Sequence, residues 1–468
     1  MVLLSHRVER LAFALLLILV VWLPLPLGSN RPWAWSLMEL LIAIQTILIL
    51  WCCREAIPWR WLKPLRWLLA GVALFQVFTL LQLLSLPIEW LAKVSPGAAS
   101  LWQSTADVRI VHESASVSVD PQQTHVALLK GISYLLLMFN CGVLIHSPER
   151  IRAVMTAFVV SGTFQAFYGA MLVLSGVSLS PVFAMVIGDI ATGSFVYKNH
   201  FANYLLLCIC MGLGLVVADL NLLGAHSWRH RMRRLVEALL SAKMLVRLCM
   251  VIMVIGLVMS RSRMGNSALF ITTLLGAVLA LLLYKHRPRS LTILFASLLI
   301  IDVLVVSSLF GLSKLRERLE ATVLVEEGRV DVLNWSWPLV QDFWLTGSGA
   351  GSFYALFQNY APEPMTHFYD HAHNDYLQFV IESGVVASAV LALVVLLVLG
   401  RCLVTMYTRK DPLMKATTLA CAMAIIAMLI HISVDFNLQA PANAASFVII
   451  LSLGAIAARM PRQGYVSE

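Results

Sequence analysis

Apolar residues along this chain fall into blocks of about twenty, separated by polar or charged connections. A helix needs about 20 apolar residues to cross a hydrocarbon core. The blocks predict twelve spans, near 11–27, 34–53, 67–87, 126–146, 153–175, 200–218, 248–260, 266–284, 291–309, 376–400, 416–433 and 443–458. The seventh is short and borrows residues from its flanks. The first follows Arg7 and Arg10 as a signal peptide would, but it lacks a small-residue cleavage site and Pro24 and Pro26 lead into further spans. It therefore reads as an uncleaved anchor.

Two segments between the blocks are long. Residues 88–125 are polar, with Trp90 and Trp102 suited to an interfacial belt. Residues 310–372 open with a charged, amphipathic stretch from Lys314 to Glu327 and continue through Arg329. There Val330, Leu333, Trp337 and Val340 recur at helical spacing, which predicts a helix lying on the membrane surface or packing on the other loops. The chain divides into 1–309, with nine spans and the loop 88–125, then 310–375, a large loop carrying chemistry, and 376–468, with three spans and a short tail. The fold class is an all-α polytopic membrane protein with about 12 transmembrane helices.

Composition agrees: of 468 residues, 60% are apolar and only 13% charged, with a mean hydropathy of +0.83. The net charge of +9 invites a nucleic-acid reading, but most basic residues sit in short loops between apolar blocks, a topological pattern that excludes nucleic acid as a partner. Of the 34 Lys and Arg residues, 23 lie at the termini and in the loops near 54–66, 147–152, 219–247, 285–290 and 401–415, and the other 11 on the opposite side. The positive-inside rule places both termini in the cytoplasm and the two long segments outside. Cys141, Cys208, Cys210, Cys249 and Cys421 fall within apolar spans, and Cys52, Cys53 and Cys402 at cytoplasmic ends, so no disulfide or metal-type cysteine pair is expected.

Candidate chemistry concentrates at three outer places. The first is Ser260-Arg261-Ser262-Arg263-Met264-Gly265. Arginine at membrane depth costs from about 2.5 kcal/mol upward and faces a cavity or partner unless it snorkels. Two on the side the charge rule disfavours point to an anion, and guanidinium suits phosphate. The second is Tyr197-Lys198-Asn199-His200-Phe201-Ala202-Asn203, where histidine and amides suit sugar hydroxyls or phosphate, although Asn199 alone reads equally as a helix cap. The third runs from His367 through Asp370, His371, His373, Asn374 and Asp375 to Leu377, with Glu382 and Gly384 downstream. Histidine near its ordinary pKa takes a proton from a hydroxyl at neutral pH, with Asp370 or Asp375 to orient it. Three His and two Asp within nine residues permit a metal, but no ligand spacing on a helix face is evident, and the adopted reading is metal-free. His431 and Asp435 complete the cavity or pair with each other. The glycine-rich Gly347–Gly351 is read as tight turns, because no strand–helix context supports a nucleotide site.

At these residues the chain resembles the O-antigen ligase/polymerase family of bacterial envelope glycosyltransferases. The resemblance rests on His373-Asn374-Asp375-Tyr376-Leu377 with Glu382-Ser383-Gly384, Ser262-Arg263-Met264-Gly265, Lys198-Asn199-His200-Phe201-Ala202, Gly328-Arg329 leading to Trp335, Gly347–Phe353, Asp435-Phe436-Asn437-Leu438, and Ser118-Val119-Asp120-Pro121 with Thr124. Each motif is weak alone, and their shared order over most of the chain is specific. The resemblance implies a C-type glycosyltransferase-like fold, with a lipid-facing cavity under a helical periplasmic loop in the bacterial inner membrane. It implies an undecaprenyl-pyrophosphate-linked glycan as donor, with no cofactor, nucleotide sugar or metal. By position His373 is the base for the acceptor hydroxyl, and Arg263 and Arg329 hold the pyrophosphate. Arg261, Lys198, Asn199, His200, His371, Asn374, Asp375 and Asp435 complete the substrate-binding set. Trp344 stands where relatives often have proline, which bears on loop shape.

The implied acceptor is lipid A–core for a ligase, another lipid-linked repeat for a polymerase, or a pilin-like protein. The protein-glycosylating relatives often carry an extra soluble domain, whereas this chain stops about ten residues after its last span. Ligase onto lipid A–core is the preferred reading and polymerase the alternative. A transporter would place charges at the midplane in repeated halves. Glu39 and Asp302 are the main mid-span carboxylates, and no inverted repeat is visible. A lipid flippase would want a continuous basic cavity through the membrane.

Overall fold

The computed structural model describes residues 2–54, 58–104, 113–220, 242–284, 289–309, 331–361 and 369–460. Arg329, His367 and the charged stretch from Lys314 to Glu327 lie outside the described residues. A long helix stands at each expected span: α1 Val2–Trp22, α2 Pro32–Cys52, α3 Arg66–Leu81, α4 Pro121–Leu144, α5 Pro148–Leu174, α6 Lys198–Ala218, α7 Ala242–Met259, α8 Arg263–Leu283, α9 Arg289–Leu309, α10 Asp375–Thr408, α11 Pro412–His431 and α12 Pro441–Arg459. Eight of them (α2, α4, α5, α6, α8, α10, α11 and α12) are long and apolar enough to cross a membrane on their own. The chain is an all-α, multi-pass membrane protein.

Local sequence sets the starts of these helices. Asp120, Ser147 and Asp411 each accept a bond from an amide of the first turn, and each is followed by a proline at the first helical position. Ser262 and Asn374 cap α8 and α10 in the same way, bonding the amides of Gly265 and Leu377. Each arrangement satisfies an orphan donor, and the missing proline N–H is one that would have had no partner. The seventh span gains its flank residues by starting at Ala242. The third ends earlier than expected, at Leu81, and the chain forms a short strand, Ser85–Pro87, paired antiparallel with Ser114–Ser116.

α6 is apolar all round and buried along its whole apolar length, with α5, α7, α8, α11 and α12 packed around it. A second apolar core, built around Leu91, Ala98, Leu339, Phe343, Phe353 and Phe357, forms a cap on one end of the bundle. It joins the two segments expected to face outward. Residues 331–343 are helical, but Val332, Leu339 and Phe343 form their buried face while Trp337 is exposed. Of the expected stripe, Val340 packs against the cap core, Leu333 is half-buried and Trp337 faces outward. Trp102 also turns inward, donating to the Ser116 carbonyl at 3.0 Å, while Trp90 is exposed.

Candidate active site

The glycine-rich segment is part of the scaffold. α10 is broken at Gly384, whose φ is +71° and where an added Cβ would lie 2.3 Å from the Leu345 carbonyl oxygen. The break frees backbone groups that the facing loop satisfies. Ser348 N donates to Ile381 O at 2.9 Å, Gly349 N to Glu382 O at 3.0 Å, and Val385 N to Trp344 O at 2.7 Å. The buried Glu382 carboxylate accepts from Gly351 N at 2.9 Å, Phe353 N at 3.3 Å and Gln378 Nε2 at 3.0 Å. The amides that resemble a phosphate cradle thus face a carboxylate of the protein itself. Ser118 and Thr124 close the arrangement, with Thr124 Oγ1 donating to Ala350 O at 2.9 Å.

On this scaffold three histidines converge on one ring. Phe436, in the connection between α11 and α12, has ring centroids of His371 at 4.4 Å, His200 at 4.8 Å, His373 at 4.9 Å and Tyr197 at 5.5 Å. His371 and Tyr197 lie nearly parallel to it, and His200 and His373 meet it edge-on. His200 is buried, and its Nε2 has no hydrogen-bond partner among the described residues. His371 Nδ1 contacts Gln378 Nε2 at 3.1 Å, so with that amide donating, the neutral ring carries its proton on Nε2. Burial pushes the His371 imidazole below its ordinary value; Asp370 and the Gln378 contact oppose the shift, and Lys130 adds to it. A neutral imidazole is the form that accepts a proton.

His373 occupies the left-handed region, with φ 49°. Such a conformation costs about 1–3 kcal/mol for a residue with a side chain and collects at functional sites. Asn374 follows it as the cap of α10. Asp375 is fully buried and accepts from Leu438 N at 2.8 Å and Gln439 Nε2 at 3.1 Å, which ties the start of α10 to the Phe436 connection.

The second candidate motif joins the same patch. Asn199 lies inside α6, whose N-cap is Tyr197, so it does not cap that helix. Its Nδ2 donates to Asp435 and to Tyr197 Oη, and its Oδ1 accepts from Ser262 Oγ at 2.8 Å. The Ser262–Asn199 bond thereby joins the starts of α8 and α6, which carry Arg263 and Lys198 one position away. Arg263 is exposed and Lys198 half-buried. Arg261 has φ 48° and pairs with Asp189 in the connection between α5 and α6. His431 is fully buried at the end of α11. Among the described residues no three His, Cys, Asp or Glu side chains are placed to hold a metal ion.

Phe436 and Tyr197 lie inside the motifs but carry no sequence mark of a role, and nothing in the sequence singles out Gln378 or Asp189. No spacing places residue 436 against residues 371–373, and only the folded chain does so.

Residues 248–392 match a family described as O-antigen ligase. No curated protein matches the chain. The matched stretch contains Ser262, Arg263, Glu382 and the His371–Asp375 segment. Over these residues, within a multi-pass membrane protein, the chain is similar to the O-antigen ligase family.

Proposed function

We propose that the protein transfers a glycan from undecaprenyl pyrophosphate to a sugar hydroxyl at the periplasmic face of the bacterial inner membrane, as an O-antigen ligase acting on lipid A–core. The observation that carries this reading is the convergence of His200, His371 and His373 beside the helix starts of Arg263 and Lys198, in a chain similar to the O-antigen ligase family. The orientation rests on the 23-to-11 division of basic residues.

His373 takes the proton of the acceptor hydroxyl as its oxygen attacks the anomeric carbon. The bond from that carbon to the pyrophosphate oxygen breaks, and undecaprenyl pyrophosphate leaves with the electron pair. A pyrophosphate leaves readily, so the protein's main tasks are to hold its charge and remove one proton. Arg263 and Arg329 hold the charge, with Arg261 and Lys198 in support. Asn199, His200, His371, Asn374, Asp375 and Asp435 line or brace the acceptor side. Direct attack inverts the anomeric centre. On this reading the reaction needs no metal or cofactor, since guanidinium groups supply the positive charge that the leaving pyrophosphate needs.

A polymerase differs only in its acceptor, another lipid-linked repeat, and the family match is equally compatible with it. Reconstitution of purified protein with undecaprenyl-pyrophosphate glycan and each acceptor separates the two. Product on lipid A–core alone marks a ligase, and a ladder of longer lipid-linked glycans a polymerase. No transfer to either, with flux of substrate into proteoliposomes instead, overturns the enzyme reading.

A further inference from the structure

We propose that Phe436 is the positioning residue of the transfer site: its ring is the shared wall against which His200, His371 and His373 are set. The proposal rests on the reading of His373 as the base. The three imidazoles come from two distant stretches of chain, 200 and 371–373, and each has its ring centroid within 5 Å of the Phe436 ring. Tyr197 lies nearly parallel to the same ring at 5.5 Å. The phenyl group is itself fixed: Phe436 is 8% exposed, its amide donates to Asp435 Oδ1 at 2.9 Å, and Asp435 is bound by Asn199.

The chemistry of a hydrocarbon ring gives this arrangement a purpose. A carboxylate orients a histidine by occupying one ring nitrogen and raising the basicity of the other. A phenyl ring orients by edge and face contact and occupies neither nitrogen. Three imidazoles can thus be held at fixed relative angles by ring contacts that use none of their nitrogens. Among the described residues, Asp370 and Lys130 act on His371, His431 acts on His200 with the other two imidazoles, Tyr369 meets His373 edge-on, and Asp435 lies beside Phe436. The expected failure on losing the ring is a base that is present and misaimed, and a displacement of about 1 Å is enough to lower a rate by about 100-fold.

The test compares F436L, which removes the ring, with F436Y and F436W, which keep one, in the reconstituted transfer assay, normalised to folded protein recovered by size exclusion. F436L is expected to lose at least about tenfold in kcat with donor and acceptor KM within about threefold, while F436Y or F436W keeps about a third of the activity or more. The proposal is overturned by an F436L as active as the parent, by equal losses in F436L, F436Y and F436W, or by a loss confined to KM. If F436L is not recovered folded, Y197L is the second variant: it removes the ring beside Phe436, and a smaller kcat loss with KM unchanged is expected, its absence overturning the proposal. H373A is measured alongside. Activity retained there removes the base itself, whereas an inactive H373A beside an unaltered F436L removes only the role of Phe436.

Discussion

Asn199 and Asp435 stand 236 residues apart and share a buried hydrogen bond, with the carboxamide donating to the carboxylate. The same Asn199 accepts from Ser262, so one side chain joins the start of α6, the cap of α8 and the connection that carries Phe436. N199A leaves both partners without it and is expected to destabilise by about 1–3 kcal/mol. N199D, which sets a second carboxylate against Asp435, is expected to be worse. Thermal unfolding in detergent ranks the two, and an N199D as stable as the parent would contradict the linkage.

Gly384 is set so that any side chain there is strained. Its φ of +71° and the 2.3 Å approach to the Leu345 carbonyl leave no space for a methyl group. G384A is expected to lose more than about 2 kcal/mol, since left-handed strain and the clash add. The readout is yield of folded protein and its unfolding temperature. A G384A indistinguishable from the parent would mean that the break in α10 is not needed to seat the glycine-rich segment.

Arg261 is engaged by Asp189, both on exposed surface. If Arg261 supports the donor's pyrophosphate, Asp189 competes for its guanidinium. D189N is expected to lower donor KM about two- to threefold, consistent with the small worth of exposed ion pairs, and to leave kcat near the parent value. A raised KM would instead assign Asp189 to holding Arg261 in its working position.

His371 gives the fold a pH dependence of determinate sign. Its folded value lies below the ordinary one because burial disfavours imidazolium. The unfolded chain therefore binds more protons between the two values, and stability rises with pH there. The contribution is complete above about pH 6.5, the unfolded value, and is lost as pH falls from there toward the folded value. Unfolding temperatures followed from pH 7.5 to 5 are expected to fall less steeply in H371Q than in the parent, and equal slopes would contradict the buried, neutral ring.

The helices were largely legible in the sequence because their signals are local: apolar blocks of membrane length, and caps such as Ser147-Pro148 and Asp411-Pro412 that need only their neighbours. The glycine-rich segment was readable as turns for the same reason, but its partner Glu382 was not, since the loop-to-helix contact spans 31 residues. The convergence of His200 with His371 and His373 was suggested only by a shared side of the membrane, and Phe436 as their meeting point was not suggested at all. An apolar residue beside a polar motif carries no local mark of function. The helix at 331–343 was legible from its periodicity, but that Val332, Leu339 and Phe343 form its buried face is set by the cap core, which no local spacing shows.

The central claim is that His373 removes the acceptor proton without a metal. It is tested most directly by transfer in proteoliposomes containing EDTA, with lipid-linked donor and lipid A–core, for the parent, H373A and H373N. Asparagine tolerates the left-handed backbone at this position, so H373N separates chemistry from strain. The account predicts full activity of the parent in EDTA and losses of about 100-fold or more in both variants, with normal insertion. Parent-like transfer by H373N, or a parent silenced by EDTA, would contradict it.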